Sequence, residues 1–544
     1  MNKITNTGTN VGCCEMNDSS IVYKESKNRE NFKNPVLPGF YPDPSLCRVN
    51  EDYYLVTSSF SYFPGVPIFH SRDLINWKQI GHVLDRPSQL DLDGGGHSEG
   101  IFAPTIRYHQ GMFYVITTNV TRGGNFIVTA ENPSGPWSEP YWLQNAPGID
   151  PSLFFDDDGK AYYVGTNEVP EGGSYFGDNE IYLQELDLKS MSLTGQRYGL
   201  WRGALKNTVW PEGPHLYKIS GIYYLMIAEG GTDYHHCVTI ARSSKLTGPY
   251  EGNPGNPILT HRHLGRSCTI VNTGHADLVE TQNGEWWMVA LASRPYGGYF
   301  RNLGRETFLV PVRWEDGWPI VSPGTGKIES QYKKPLLPAD EEIEIPKRDD
   351  FDSSELSFIW NFLRTPREKF WSLTERPGYL RLRLRPEKVT EKRNPSLVGR
   401  RQQHIDFLAA AALEFNPAAE GEAAGITLVQ SNAFNFRFEY ILFEGRKMVR
   451  LVQCFDERET VIAQKEFQGQ SLCLKVSAVG QDYSFSFGAK NTELEILAEK
   501  VDGRLLSTDV AGGFVGTYIG MFASSNGNTS SAHADFDWFE YFGN

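Results

Sequence analysis

The sequence lacks a long apolar run and an excess of positive charge. No stretch approaches the ~18 apolar residues that a membrane-spanning helix needs, so we expect no membrane partner. The chain carries 52 Lys and Arg against 66 Asp and Glu, a formal net charge of −14. An acidic protein repels phosphate backbones, which argues against nucleic acid as a partner, whereas a neutral ligand meets no such barrier.

Cysteine is scarce, and the N-terminus has no apolar segment of the kind found in export signals. The seven cysteines are scattered and odd in number, without zinc-finger spacing, which is typical of reduced thiols. Together these features predict a cytoplasmic protein, although a chain trimmed of its export signal would show the same pattern. The sequence leaves open whether the chain forms a homo-oligomer.

Long amphipathic helices are also absent, and short apolar strands separated by turn residues predict an all-β fold. Five segments repeat one plan, in which a polar or small residue opens a short strand and an aromatic-led strand begins 10 to 12 residues later. These opening residues are separated by 60, 47, 62 and 63 residues, room for about four strands per repeat. We therefore predict a five-bladed β-propeller over residues 31–335. The openers are Asp43, Ala103, Asp150, Glu212 and His275.

The remaining chain is predicted to form a second domain. Residues 1–30 are interpreted as a disordered N-terminal tail, and residues 336–350, rich in proline and acids, as a linker. Residues 351–544 resume alternating strands such as 379–384 (YLRLRL), which favours an antiparallel β-sandwich. Its role would be to stabilise the propeller, to bind sugar, or to cap the propeller mouth with a loop.

The first strand of each propeller blade lines the central channel, so the residues that open these strands should face one another. This brings together the carboxylates of Asp43, Asp150 and Glu212 and the imidazole of His275. Each residue alone can be explained as a turn former at the start of a strand. That explanation gives no reason for acids at matching points of a closed repeat.

Three carboxylates at one channel mouth suit the cleavage of a glycosidic bond. One acid protonates the leaving oxygen and one base activates water, and an inverting enzyme separates the two by ~6.5–9.5 Å. A third carboxylate can raise the pKa of the acid through like-charge repulsion. Glu212 has the longer side chain and follows Trp210 and Pro211, which we expect to exclude water, so we assign it as the acid. Asp43 is then the base and Asp150 the modulator.

Metal and cofactor sites are less well supported by the sequence. His275 is interpreted either as a hydrogen-bonded structural residue or as a residue that orders channel water or lies near a cation. Residues 156–159 (DDDG) resemble part of a calcium loop but fit a hairpin turn in length. Residues 91–97 fit a flexible loop better than a metal site. We expect the chemistry to require no cofactor.

At these residues the sequence resembles glycoside hydrolase family 43, in the family's own motif order over about residues 33–325. Residues 351–544 resemble the concanavalin-like sandwich of the family's two-domain β-xylosidases. The matching pieces are 34–45 (NPVLPGFYPDPS), 71–77 (SRDLINW), 100–104 (GIFAP), 148–154 (GIDPSLF), 210–218 (WPEGPHLYK), 274–278 (GHADL) and 303–307 (LGRET).

The resemblance implies an inverting, exo-acting enzyme whose base, modulator and acid are Asp43, Asp150 and Glu212. It implies β-1,4-xylosides or α-L-arabinofuranosides as substrates, cut one residue at a time from the non-reducing end. Because some family members bind Ca²⁺ near the channel histidine, a structural or activating Ca²⁺ ion near His275 stays open. The implied substrate contacts are Phe60, Phe102, Thr232, His275, Arg305 and, from the sandwich, Phe514.

One position departs from the family pattern: Phe102 stands where its xylosidases often have Trp before Ala-Pro. The leading hypothesis is a β-xylosidase acting on xylo-oligosaccharides. The alternatives are an α-L-arabinofuranosidase or a bifunctional enzyme acting on arabino-oligosaccharides, and a non-catalytic sugar-binding protein. Retaining five-bladed enzymes of the invertase type carry Asn-Asp-Pro-Asn-Gly and Arg-Asp-Pro motifs, which this sequence lacks.

Overall fold

The computed structural model describes residues 30–169, 171–343, 345–489 and 493–543. Within these ranges regular structure is almost entirely β, with 39 strands, one 3-10 turn and one short α-helix. The predicted five-bladed propeller followed by a concanavalin-like sandwich is confirmed. The predicted tail, apart from Glu30, lies outside the described residues. None of the described helices is long and apolar enough to span a membrane.

The propeller consists of five antiparallel sheets that follow one another along the chain. Blade 1 is built from β2, β3, β5 and β6, blade 2 from β7–β10, blade 3 from β11–β14, blade 4 from β15–β19 and blade 5 from β20–β23. The strands are β1 (Asn31–Lys33), β2 (Ser45–Val49), β3 (Asp52–Val56), β4 (Tyr62–Phe63), β5 (Gly65–Ser71), β6 (Lys78–Leu84), β7 (Thr105–His109), β8 (Met112–Asn119), β9 (Gly124–Ala130), β10 (Tyr141–Trp142), β11 (Ser152–Phe155), β12 (Ala161–Glu168), β13 (Asn179–Asp187), β14 (Ser192–Trp201), β15 (Glu212–Ile219), β16 (Ile222–Glu229), β17 (Cys237–Ser243), β18 (Glu251–Gly252), β19 (Leu259–Thr260), β20 (Val271–Glu280), β21 (Trp286–Ser293), β22 (Glu306–Glu315), β23 (Trp318–Val321) and β24 (Gln331–Lys333).

The first strands of the blades form a closed ring, with contacts in the order β2, β7, β11, β15, β20 and back to β2. Pairing of β1 with β24 joins the two ends of the propeller. Neighbouring blades pack face to face; Val164 and Leu183 of blade 3, for example, share one apolar cluster with Leu225 and Ile227 of blade 4. Because neighbouring blades cover both faces of each sheet, its strands consist of nearly continuous apolar residues.

A buried polar network holds the centre of the ring together. Asp277 of β20 is fully buried and accepts hydrogen bonds from Ser45 Oγ (2.7 Å), Arg107 Nη1 (2.8 Å) and Tyr217 OH (2.7 Å). These three donors belong to three further blades. Burial alone would raise the pKa of Asp277, but the Arg107 charge and the hydrogen bonds hold it below its usual range. The network therefore fixes four blades around one ionised carboxylate.

The sandwich has two antiparallel sheets. One follows the order β27-β28-β39-β30-β35-β36-β37, with β25 paired to β39, and the other the order β29-β38-β31-β32-β33-β34. Their bounds are β25 (Arg348–Asp349), β26 (Phe362–Leu363), β27 (Trp371–Ser372), β28 (Leu380–Arg383), β29 (Ser396–Arg401), β30 (Phe407–Glu414), β31 (Ala423–Val429), β32 (Phe434–Phe443), β33 (Arg446–Phe455), β34 (Arg458–Glu466), β35 (Ser471–Val479), β36 (Asp482–Ala489), β37 (Glu495–Asp502), the 3-10 turn η1 (Gly503–Leu506), α1 (Thr508–Ala511), β38 (Tyr518–Ser524) and β39 (His533–Gly543). Strand β25 falls within the stretch predicted as a linker.

The two domains are joined by strand pairing and by buried side chains. Strand β26 of the sandwich pairs with β4 of the propeller. The fully buried Arg364 donates from Nε to the carbonyl of Gly95 at 2.7 Å, and Tyr62 stacks on Tyr518 with ring centroids 3.6 Å apart. This junction fixes the segment between α1 and β38 over the mouth of the propeller.

Candidate active site

A pocket with a volume of about 200 Å³ lies where the inner strands of the blades begin. Sites for drug-sized ligands measure ~300–1,000 Å³, so this pocket has room for one small ring. All nine residues that the sequence predicts for the site line it. The complete lining is Asp43, Phe60, Phe102, Ala103, Ile149, Asp150, Trp210, Glu212, Gly231, Thr232, His236, His275, Arg305 and Phe514.

Unusual backbone conformations aim the site residues into the channel. Asp43, Asp150 and His275 have φ angles of 55°, 52° and 41°. Positive φ is uncommon for residues other than glycine and is found where the surrounding structure enforces it, frequently at functional sites. Asp43 and Asp150 each stand two residues before the inner strand of their blade, as the repeat predicts.

His275 and Glu212 differ from the repeat in their placement. His275 lies inside β20, at an irregularity in strand pairing between Gly274 and Ala276, rather than at the start of the strand. Glu212 begins β15, and the following Gly213 has a φ of 57°. A Cβ atom on Gly213 would lie 2.8 Å from Cε1 of His275, so a side chain there would collide with the imidazole.

Asp43 is held from both sides. Its Oδ1 accepts a hydrogen bond of 2.8 Å from Nη1 of Arg305, and its Oδ2 accepts one of 2.6 Å from Oγ of Ser58. Two donors thus orient this carboxyl group, as positioning of a general base requires. The aspartate is buried, so its orientation is fixed.

Glu212 has a different environment, since no described residue donates a hydrogen bond to its carboxyl group. Burial, followed by the negative charges of Asp150 and Asp43, raises the pKa of Glu212 well above its usual range, although Arg305 opposes the shift. A carboxyl group with a raised pKa keeps its proton near neutral pH and can donate it.

Asp150 is also buried, and an imidazole lies beside it. Its Oδ2 is 4.0 Å from Nδ1 of His275. Burial and the charge of Asp43 raise the pKa of Asp150 to about 6, against the lowering effects of His275 and Arg305. Asp150 is therefore better suited to influence the pKa of its neighbours than to act as the acid or the base.

Arg305 connects the base to the rest of the pocket. Besides Asp43, it contacts Thr232 Oγ1 at 3.2 Å through Nη1 and the carbonyl of Phe514 at 3.3 Å through Nε. Its Nη2 is buried and has no hydrogen-bond partner among the described residues. A buried N–H group without a partner is costly, so this donor is suited to a ligand hydroxyl in the pocket.

Three phenylalanine rings form an apolar wall. Phe60 lies 5.1 Å from Phe102 and 6.1 Å from Phe514, measured between ring centroids. Phe514 belongs to the sandwich, and its amide donates a 2.8 Å hydrogen bond to Oγ of Ser98 of the propeller. The second domain therefore supplies part of the pocket, as the capping-loop interpretation expects.

Five lining residues were not assigned to the site from the sequence: Ala103, Ile149, Trp210, Gly231 and His236. His236 is buried, with Nδ1 3.0 Å from the carbonyl oxygen of Asn272, and no sequence signal distinguishes it from other histidines. Trp210 was expected to exclude water from Glu212, but 37% of its surface is exposed. Its position two residues before the acid was the available signal for a place in the pocket wall.

The side chains described around His275 do not by themselves make up a Ca²⁺ site. Ca²⁺ takes about six to eight oxygen ligands. In the part of the chain that the structure describes, no three His, Cys, Asp or Glu side chains are grouped to hold a metal. His275 offers nitrogen, and the carboxylates of Asp43 and Asp277 are engaged by Arg305 and Arg107. Asp150, 4.0 Å from His275, is then one carboxylate where Ca²⁺ needs several oxygen ligands.

Comparison with known families divides the chain in two. Residues 32–319 match Glycosyl hydrolases family 43. Residues 348–542 match the Beta xylosidase C-terminal Concanavalin A-like domain. The first match contains all the pocket residues supplied by the propeller, and the second contains Phe514.

Individual relatives match over both domains. A xylosidase/arabinosidase of Butyrivibrio fibrisolvens is 49% identical over 510 residues, which cover 93% of this chain and 98% of that protein. A non-reducing end alpha-L-arabinofuranosidase of Bacteroides ovatus is 40% identical over 523 residues, 94% of this chain and 95% of that protein. Among solved structures, a xylan beta-1,4-xylosidase from Bacillus halodurans C-125 matches with a TM-score of 0.88 at 38% identity, covering 94% of this chain and 99% of that one.

Proposed function

Since this chain belongs to glycosyl hydrolases family 43, we propose that it releases xylose from the non-reducing ends of β-1,4-xylo-oligosaccharides. The chain is a glycosidase, exo-acting and inverting. The observation that carries the choice of residues is the contrast between two carboxyl groups in one pocket. Asp43 accepts two hydrogen bonds, whereas Glu212 accepts none from the described residues and has a raised pKa.

In the proposed reaction, the terminal sugar enters the pocket and Nη2 of Arg305 donates a hydrogen bond to one of its hydroxyl groups. Glu212 donates its proton to the glycosidic oxygen, and the bond from that oxygen to the anomeric carbon breaks. Asp43 accepts a proton from a water molecule, whose oxygen attacks the anomeric carbon from the opposite face. The product sugar therefore carries an inverted anomeric hydroxyl.

Asp150 is proposed to modulate the acid. Its charge is the second cause of the raised pKa of Glu212, after burial. The 4.0 Å separation from His275 gives Asp150 a neighbour that favours its ionised form. An ionised Asp150 in turn keeps the proton on Glu212 until the leaving oxygen takes it.

The size of the pocket supports removal of one sugar at a time. A volume of about 200 Å³, walled on one side by Phe514, accommodates one ring. The remainder of an oligosaccharide must then extend outward past the rim. Cleavage at a chain end follows from this shape.

α-L-Arabinofuranosides are the second candidate substrate, alone or together with xylosides. Phe102 in the pocket wall supports this candidate. So does the similarity to the xylosidase/arabinosidase of Butyrivibrio fibrisolvens and to the alpha-L-arabinofuranosidase of Bacteroides ovatus. Both pentoses place similar hydroxyl groups around the scissile bond. One pocket could therefore accept either sugar.

The test is product release from 4-nitrophenyl β-D-xyloside, 4-nitrophenyl α-L-arabinofuranoside and a series of xylo- and arabino-oligosaccharides. We expect the highest kcat/KM on the xylosides and an initial product of inverted configuration by proton NMR. A higher kcat/KM on the arabinofuranosides would show that arabinofuranose, and not xylose, is the preferred sugar. If neither class of substrate were hydrolysed, both proposed substrates would be wrong. Asp43→Asn, which lacks the proposed base, is the control for contaminating activity.

We also propose a cytoplasmic location. The five cysteines among the described residues are free, and free thiols are typical of reducing compartments. Fractionation of the producing cells would test this, since activity found mainly outside the cytoplasm would contradict it.

A further inference from the structure

Two exposed aromatic side chains lie beside the pocket: Trp210 lines it, and Phe176 packs against Trp210. Trp210 lies two residues before Glu212 and lines the pocket, with 37% of its surface exposed. Phe176, from the loop between β12 and β13, is 80% exposed. Its ring lies edge-on to the Trp210 indole, with centroids 5.5 Å apart and planes at 78°. An exposed pair of large aromatic rings beside an active site marks a surface for a ligand.

The backbone around Trp210 is built to hold the indole in place. Trp210 has a φ of 52°, a strained value for so bulky a residue. Its amide donates a 2.7 Å hydrogen bond to the carbonyl of Gly177, and the amide of Gly230 donates one of 2.9 Å to Val209. These bonds fix the residue despite the strain.

Two glycines leave room for the indole. A Cβ atom on Gly177 would lie 3.0 Å from Nε1 of Trp210, and one on Gly231 would lie 2.6 Å from its Cε3. Larger residues at these positions would displace the ring. The indole is therefore locked at the rim, while its Nε1–H donates no hydrogen bond to any described residue.

The loop that carries Phe176 is tied to the segment that carries Trp210. The Tyr175 hydroxyl donates a 3.1 Å hydrogen bond to the carbonyl of Thr208. Asp178 is buried, accepts a 2.8 Å hydrogen bond from the amide of Ser174 and pairs with Arg202. Phe176 is thus exposed on an anchored loop.

We propose that Trp210 and Phe176 form the binding site for the leaving-group sugar, the ring on the far side of the scissile bond. This inference rests on the proposed function, in which Glu212 protonates the oxygen that joins the two rings. Everything beyond that oxygen must lie on the Glu212 side, and the pocket itself has room for one ring.

The chemistry of the two side chains fits such a ring. A xylopyranose unit presents C–H groups on its faces, which pack on an aromatic ring, and hydroxyl groups at its edge, which stay in water or accept the indole N–H. Trp210 supplies a rigid face and a donor, and Phe176 supplies a second apolar surface at an angle to it. The site would favour oligosaccharides over glycosides with a small leaving group.

Phe176→Ala tests the proposal, because so exposed a side chain contributes little to folding. We expect its kcat/KM for xylobiose to fall about three- to ten-fold, the range for loss of an aromatic contact. The loss should be clearly smaller for β-D-xylosyl fluoride, whose leaving group is a single atom. Phe176→Tyr, which keeps the ring, should restore most of the xylobiose activity.

Phe455→Ala is the matched control, since Phe455 is a 47% exposed ring on the sandwich. It should leave both activities unchanged. Equal losses on xylobiose and the fluoride in Phe176→Ala, or no loss on either, would overturn the inference while leaving the proposed function intact. Wild-type protein that hydrolyses neither substrate would instead overturn the proposed function, and this inference with it.

Discussion

Arg305 donates a 2.8 Å hydrogen bond from Nη1 to Oδ1 of Asp43, across a sequence separation of 262 residues. The contact joins blade 5 to blade 1 at the mouth of the channel. The same guanidinium lines the pocket, and its Nη2 has no hydrogen-bond partner among the described residues, so one side chain both orients the base and contributes to the sugar site. Attack by water and recognition of the sugar are therefore coupled through Arg305.

The first prediction concerns this coupling. Arg305→Lys should lower kcat/KM for xylobiose about 10- to 100-fold, because a lysine cannot make both contacts and a hydrogen bond to a charged group contributes about 1.5–3 kcal/mol. Steady-state kinetics would measure it. Arg313→Lys, on the exposed surface of the same blade, is the control and should retain wild-type kinetics. Wild-type kcat/KM in Arg305→Lys would contradict the proposed roles of Arg305 in orienting the base and binding the substrate.

The second prediction concerns pH. Glu212 must be protonated to act as the acid, so activity should be lost as pH rises through its pKa. Because the charge of Asp150 helps to raise that pKa, Asp150→Asn should lower it and move the alkaline limb of the kcat/KM profile toward lower pH. Profiles of both proteins on xylobiose, whose cleavage depends on the acid, would show the shift. An alkaline limb that stays in place or moves upward would contradict the role of Asp150.

The third prediction concerns stability. The pKa of Glu212 is raised in the fold above the value of 4.5 expected for an exposed glutamate. The unfolded chain therefore releases this proton first, and stability falls as pH rises from about 4.5 toward the folded-state pKa. Glu212→Gln removes this penalty, so its gain in melting temperature over wild type should be larger at pH 7 than at pH 4. An equal gain at both values would show that Glu212 carries no such penalty.

The fourth prediction concerns the centre of the propeller. Asp277→Ala leaves the buried charge of Arg107 without its partner, and breaking a buried pair of this kind lowers the free energy of unfolding by about 3–5 kcal/mol. Denaturant unfolding would measure the change. Glu185→Ala breaks the exposed pair with Lys160 and should change stability by about 1 kcal/mol or less. If the two substitutions lowered the free energy of unfolding by similar amounts, the buried network would not have the proposed structural role.

The sequence was sufficient to predict the propeller because its repeat is local. Each opener and the aromatic strand that follows it lie within about a dozen residues, and matching openers must meet once the ring closes. For that reason the sequence alone predicts that Asp43, Asp150 and Glu212 share one pocket. Their roles followed from the chemistry of carboxyl groups, and the family resemblance added Arg305, Thr232 and the phenylalanines.

Other features depend on contacts between distant segments, which no local pattern records. Asp277 lies two residues after His275, but its partner Arg107 is 170 residues away. The strand irregularity that turns His275 into the channel and the exposure of Trp210 arise only when neighbouring blades and loops pack together. The departure at Phe102 could be seen in the sequence, but its effect on the choice of pentose depends on the fit of the ring in the pocket.

The role of Glu212 as the acid is tested most directly by the dependence of Glu212→Ala on the leaving group. Protonation of the leaving oxygen contributes ~10²–10⁴-fold when that oxygen is a poor leaving group, and much less when it is already acidic. We therefore expect kcat/KM of Glu212→Ala to fall by about that factor on xylobiose and far less on 4-nitrophenyl β-D-xyloside. Equal losses on the two substrates would contradict the assignment of Glu212 as the acid.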